Sequence, residues 1–318
     1  MRLTVMEGKP ERSDEAHLLA LCWTNSVDWS LIARQAQVPD GLAKLLDGMV
    51  LERNAPVADK RRLHSALQRG LPIADISSRL NEWTRGGLSL TTVLDDDYPL
   101  NLRSIHNLPP FLFYVGQLRE DDAYSVAVVG TRTPSPSGLR RASRIAGLLA
   151  TKNVIVLSGL ARGIDTAAHR SALQAGGRTI AVLGSGLLRV YPPENSSLAG
   201  EIARSGAVVS QFWPDSPPAS YNFPRRNIVT SGLGQGTVVI EATATSGAKM
   251  QARLALEHGK KVFLLKSLVD SHAWAKRYVQ RGAIPVEDVR DVQRHLVSVD
   301  AIREASDKRH QLAMQLVG

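Results

Sequence analysis

The sequence predicts an α/β fold, a doubly wound and mostly parallel sheet preceded by a small all-helical domain. Three observations carry this. From about residue 91 onward, short and wholly apolar runs alternate with stretches of helical periodicity. Strands that lack an alternating polar face belong to a sheet covered on both sides. Before Gly86-Gly87 the apolar residues recur only at helical spacing. Hydrophobic residues make up 43% of the 318 and charged residues 22%, the balance of a globular chain with a large core.

The helical part occupies residues 1–90. Apolar faces run through Ala16–Trp23, Leu31–Ala36, Leu42–Leu46 and Leu63–Leu67, with breaks at Pro39, Pro56 and Pro72. Trp29–Gly48 reads as two short helices around a turn. A helical bundle explains that spacing more simply than a helix-turn-helix reader does. In residues 91–290 strands are expected at Phe111–Val115, Val126–Val129, Val154–Leu157, Thr179–Leu183, Ala207–Ser210, Thr237–Ile240, Lys261–Leu265 and Ala283–Val286. Helices are expected at about Leu139–Thr151, Thr166–Ala175, Ser197–Ser205, Met250–Glu257 and His272–Arg281. The tail, 291–318, is polar and reads as helical, with a loosely ordered end. Such a fold binds ligands where loops leave the carboxyl ends of its strands.

Those loops carry the candidate chemistry. Gly130-Thr131-Arg132 follows a strand and precedes a helix, so free amides and a planar guanidinium face one place, an arrangement suited to phosphate. The bland alternative is a tight loop with a surface arginine. Ser158-Gly159 opens a second such turn, with Arg162 and Gly163 following and Asp165 placed to cap a helix from Thr166. His169, one turn on, reads as a packing histidine before a catalytic one. Gly184-Ser185-Gly186 is half of a dinucleotide fingerprint, and its third glycine is missing. The chain also lacks the GxxxxGK[ST] phosphate loop, so no nucleotide cofactor is expected.

The densest motif is Tyr221-Asn222-Phe223-Pro224-Arg225-Arg226-Asn227, read as a connection ahead of Ser231-Gly232-Leu233-Gly234-Gln235-Gly236. Aromatic rings stack on bases while neighbouring arginines hold phosphates, and the glycines would let backbone amides face a ligand. A buried Phe223 anchoring a long connection is the simpler reading, and both can hold. Ser246-Gly247 with Lys249 repeats the strand-turn-helix anion cradle, or Ser246 is an N-cap alone.

Charge points the same way. Lys and Arg total 39 against 30 Asp and Glu, a net +9, which favours a polyanionic partner because neutralised phosphates release counterions. The single Cys22 excludes an intrachain disulfide and a multi-cysteine zinc site. No metal site is expected. No run approaches the ~20 apolar residues of a membrane span, and the first fifteen residues show no signal-peptide core, so a cytoplasmic setting is expected.

The motifs VAVVGTR, VLSGLARGIDTAAH, TIAVLGSGLLRVYPPEN, FPRRN and SGLGQGTVVIEATATSGAKMQARLALEHGKKVF, in this order, resemble the DprA/Smf family, as does the lead-in around Asp97-Tyr98-Pro99. The resemblance spans about Tyr98 to Phe263. It implies an extended Rossmann-like core, single-stranded DNA binding, homodimerisation and delivery of DNA to the recombinase RecA, with no required catalytic reaction. It places Arg132, Phe223, Arg226 and Asn227 on DNA. Thr131 departs from the family's serine, Ser220 and Tyr221 from a frequent Lys-Gly pair, and Ile228 from a common arginine. The stretch after Leu265 lacks the usual Pro-Gly. Two alternatives accompany this. One is a regulatory or antitoxin component paired with a phosphoribosyltransferase-like toxin encoded nearby, in phage defence. The other is a LOG-like nucleotide hydrolase using Glu241 as acid/base.

Overall fold

The computed structural model describes residues 13–317, with backbone alone at position 310 and from 312 onward. Among the described residues five helices come first: α1 Ser13–Trp23, α2 Trp29–Ala36, α3 Gly41–Leu46, α4 Val57–Gln68 and α5 Ile73–Arg85. The predicted pair in Trp29–Gly48 is α2 and α3. Asp28 caps α2 by accepting hydrogen bonds from the amides of Ser30 and Leu31.

Nine strands form one sheet: β1 Ser89–Thr92, β2 Phe111–Gly116, β3 Ser125–Val129, β4 Ile155–Ser158, β5 Thr179–Val182, β6 Ala207–Ser210, β7 Gly236–Val239, β8 Lys261–Leu265 and β9 Ile284–Val286. Their spatial order is β1-β2-β6-β5-β4-β3-β7-β8-β9. Every pairing from β6 to β9 is parallel, while β1-β2 and β2-β6 are antiparallel. β1 is a strand the sequence reading lacked, and it spans the boundary expected at residue 90.

The remaining helices are α6 Leu100–Arg103, α7 Pro136–Ala150, α8 Ile164–Gln174, α9 Ser196–Ser205, α10 Asn222–Leu233, α11 Gly247–Glu257, α12 Lys266–Ser271, α13 Ala273–Gln280, α14 Val289–Gln293 and α15 Val299–Val317. They cover both faces of the sheet, which is why β3 through β7 are buried along their whole length. The tail is helical through Val317, as expected, and the expectation of a loosely ordered end falls at Gly318, outside the described residues. No described helix is long and apolar enough to cross a membrane.

One helix replaces an expected connection. Phe223–Asn227 does not form an open loop but the first turns of α10, which runs on through Ser231 to Leu233. Pro224 fits there because the first-turn amides of a helix have no intrahelical partner to lose. The amides of Ser231 and Gly232 are therefore spent inside a helix, and Gly232 packs against Leu102 and Ile105. The expected glycine-rich backbone cradle at 231–236 does not exist.

The helical segment docks through aromatic side chains. Trp213, in the loop after β6, has ring centroids at 4.8 Å from Trp23 and from Phe111, 5.9 Å from Trp29 and 6.1 Å from Trp83. Edge-on and tilted ring pairs of this kind add to the burial they accompany.

Candidate nucleic-acid interface

The strand order reverses between β3 and β7. From β3 the chain proceeds through β4, β5 and β6 in one direction, then returns to place β7 and β8 on the other side. The loops leaving β3 and β7 therefore part, and a crevice opens at their carboxyl ends. A cavity of about 430 Å³ lies there. Gly130, Thr131 and Arg132 form one wall, Gly159, Ala161 and Asp165 a second, Phe223, Arg226 and Asn227 of α10 a third, and Ser246, Gly247 and Gln251 the fourth.

Arg226 is its electrostatic centre. The residue is only 7% exposed, an expensive place for a cation unless its donors are met. Nη1 donates to the Val182 carbonyl at 3.1 Å and Nε to the Asn227 side-chain oxygen at 3.1 Å. The guanidinium occupies the space a side chain at position 159 would need: a Cβ on Gly159 would stand 1.4 Å from Nη1. Glycine at 159 is thus what lets this charge reach the cavity.

Asp165 faces Arg226 from the start of α8. It does not cap a helix from Thr166, because α8 begins at Ile164. Its carboxylate instead accepts the amides of Gly159 at 3.1 Å and Ala161 at 3.4 Å, holding the loop after β4. Burial pushes the Asp165 carboxyl above its usual range, and the Arg226 guanidinium and the Ala161 amide offset part of that rise.

Phe223 stands at the mouth. Gly184 makes room for it, since a Cβ there would fall 2.7 Å from the ring. The Arg132 guanidinium carbon lies 5.0 Å above the ring centroid, a cation–π pair, and the Tyr191 ring is 6.1 Å away. A smaller adjoining cavity shares Arg132, Phe223 and Arg226 with the main one and adds Arg162, Tyr191 and Pro192. Arg162 is exposed and forms an ion pair with Glu194. Tyr191 was not singled out from sequence as a site residue. Its signal is an aromatic residue just past the turn after β5, masked by the likeness of that turn to a dinucleotide fingerprint.

Four sequence candidates lie elsewhere. The Ser158 hydroxyl is buried and donates to the Val128 carbonyl at 2.7 Å, bracing β4 against β3. Arg225 points away from the cavity. Its guanidinium lies 5.1 Å from the Trp29 ring and 5.5 Å from Phe212, so it pins the helical segment to α10. Lys249 donates to the Ala244 carbonyl at 2.9 Å, inside its own loop. Glu241 also turns aside: its carboxylate accepts the Ser135 amide at 3.1 Å and the Ser135 hydroxyl at 2.7 Å. Ser246 is both cap and wall, accepting the Lys249 amide at 3.3 Å.

His169 is buried with Nδ1 2.8 Å from the Thr179 hydroxyl. That hydroxyl donates to Val156, so His169 must be the donor in their bond, with its proton on Nδ1. Burial, reinforced by the Arg226 charge, pulls its pKa down to about 3. It is a neutral packing residue. Among the described residues no three His, Cys, Asp or Glu side chains gather as metal ligands.

Comparison with known proteins gives a consistent set. The family of DNA recombination-mediator protein A matches residues 89–297. The protein Smf of Escherichia coli is 41% identical over 202 residues, 63% of this chain and 54% of its own length. The DNA processing protein DprA of Streptococcus pneumoniae is 40% identical over 203 residues, 63% of this chain and 72% of its own length. The chain thus matches about half the length of the first relative and under three quarters of the second. The crystal structure of the S. pneumoniae protein superposes with a TM-score of 0.72 and 28% identity, covering 93% of this chain and 99% of that one. The Helicobacter pylori DNA processing protein A, whose structure is described for its single-stranded DNA binding mode, shares the fold at a TM-score of 0.57 and 24% identity, covering 69% and 96%.

Proposed function

The chain belongs to the DNA recombination-mediator protein A family, and on that premise we propose that it binds single-stranded DNA in the crevice between β3 and β7. The observation that carries this reading is a juxtaposition: the buried Arg226 guanidinium, the exposed Arg132 guanidinium and the Phe223 ring meet at one cavity of about 430 Å³. Arginine forks suit phosphate, and a ring at the mouth suits an unstacked base of any identity. The H. pylori relative's binding of single strands and the net charge of +9 support the same ligand. Within this proposal Gly130, Thr131, Gly159, Asn227, Ser246 and Gly247 shape the cavity, Arg162 lines its extension, and Tyr191 joins Phe223 as a stacking surface. The protein acts inside the cell without catalysis, as a homodimer, and promotes loading of RecA onto the bound strand. Hydrolysis through Glu241 finds no support, because that carboxylate is committed to Ser135 outside the cavity. Anisotropy titrations with a labelled thymidine oligonucleotide and its duplex counterpart across a salt series test the proposal. Preference for the single strand with affinity falling steeply with salt is expected. Equal affinity for both forms, or affinity indifferent to salt, overturns it.

A further inference from the structure

A third cavity, of about 330 Å³, continues the carboxyl edge of the sheet past β7 toward β8. It shares Thr131 and Thr243 with the main cavity, as the small cavity beside Tyr191 shares Arg132, Phe223 and Arg226 on the other side. The three lie in a row above β5, β4, β3, β7 and β8. Four strand intervals at 4.7–4.9 Å each make a trough of roughly 19 Å, longer than one nucleotide needs.

Arg141, which forms no ion pair among the described residues, lines the third cavity. Arg141 of α7 is half-buried. Its only hydrogen bond among the described residues runs from Nη2 to the Ser137 hydroxyl at 3.2 Å. Its Nε is fully buried and has no acceptor. Glu241 lines the same cavity, but both its oxygens are engaged by Ser135. Thr133, Ser267 of α12 and His272 just past that helix line the same cavity, and the Thr133 and Ser267 hydroxyls can donate to a phosphate oxygen, whereas the Ser271 hydroxyl donates to the Ser267 carbonyl at 2.7 Å. A partly desolvated guanidinium with no ion pair is costly, and a phosphate bound at its Nη groups offsets that cost.

The geometry points to a second phosphate subsite at Arg141, taken by the same nucleic-acid strand after it leaves the main cavity over the Thr131–Thr243 ridge. This inference rests on the proposed function and extends it: the protein reads a run of backbone phosphates along its sheet edge, not one nucleotide.

The test uses the full chain, a labelled thymidine twenty-mer, and a thymidine dinucleotide as competitor. Arg141→Ala should weaken the twenty-mer about three- to tenfold and leave the dinucleotide unchanged. One lost phosphate contact lowers the slope of log affinity against log salt by about 0.7. Ser267→Glu, at an exposed position, should likewise weaken the long strand alone, and Ser267→Lys should strengthen it, so the outcome does not depend on how Arg141→Ala folds. Wild-type failure to bind either oligonucleotide would sink the proposed function itself. If the wild type binds while all three variants match it in affinity and salt slope, the function stands and the subsite is wrong.

Discussion

Gly159→Ala tests the site without removing a charge. Position 159 has an ordinary backbone conformation, so alanine is not strained by its dihedral angles. Replacing glycine there even trims the entropy of the unfolded chain, by about 0.4–1 kcal/mol. The new methyl would stand 1.4 Å from Arg226 Nη1, 2.2 Å from its central carbon and 2.6 Å from Nη2, so the guanidinium has to leave. It forfeits the bond to Val182 at 3.1 Å, a charged donor's hydrogen bond worth about 1.5–3 kcal/mol. The net stability cost is then about 1–2 kcal/mol after the entropic gain. Loss of its phosphate contact costs binding a further ~1.5–3 kcal/mol, or roughly 10- to 100-fold. Anisotropy with a labelled single strand and urea unfolding on the same preparations measure both. Arg226→Ala supplies the second edge of a cycle: in that background Gly159→Ala should add almost nothing to the binding defect. If Gly159→Ala folds like the wild type and binds with unchanged affinity, Arg226 is a structural cation and the phosphate reading fails.

Arg132→Ala should weaken single-strand binding by roughly tenfold or more with little change in melting temperature, because its described partner is only the Phe223 ring; a melting curve beside a binding isotherm checks both halves. Trp213→Ala should destabilise the fold by about 3 kcal/mol or more, since its ring touches aromatic residues of the helical segment and of β2 together; wild-type stability in urea would refute that. For His169 the folded pKa of about 3 lies below the unfolded value, so the unfolded chain binds the extra proton. Its contribution is complete above about pH 6.5 and is lost at up to ~1.4 kcal/mol per unit as pH falls toward 3. Unfolding free energies of wild type and His169→Leu across that range should converge as pH falls, and parallel curves would contradict it.

The sheet was legible because its strands are covered on both faces: VAVV and TIAV admit no other reading at that length. β1 was not, because Ser89–Thr92 is four residues of mixed polarity whose strand character comes only from pairing with β2. α10 was hidden by its own chemistry. A proline, two arginines and a Ser-Gly pair resemble a loop, and only the buried packing of Val229 and Gly232 against the rest of the fold makes them a helix. Within the site, Arg132, Phe223, Arg226 and Asn227 were found from motif order, and the structure brings them to one cavity. Arg225 and Lys249 show the limit of that reasoning. Sequence places a cation near a loop, but which way the side chain turns depends on Trp29 and on the Ala244 carbonyl, contacts that no spacing encodes.

A single strand lying along the carboxyl edge of the sheet would set a base against Phe223. Photo-crosslinking with an iodouridine-substituted oligonucleotide, followed by peptide mass spectrometry, locates the contact directly. Adducts are expected on Phe223 and Tyr191, lost in Phe223→Ala at the first position and retained at the second. Adducts confined to α2 and α3, or to α15, would place the strand elsewhere and contradict it.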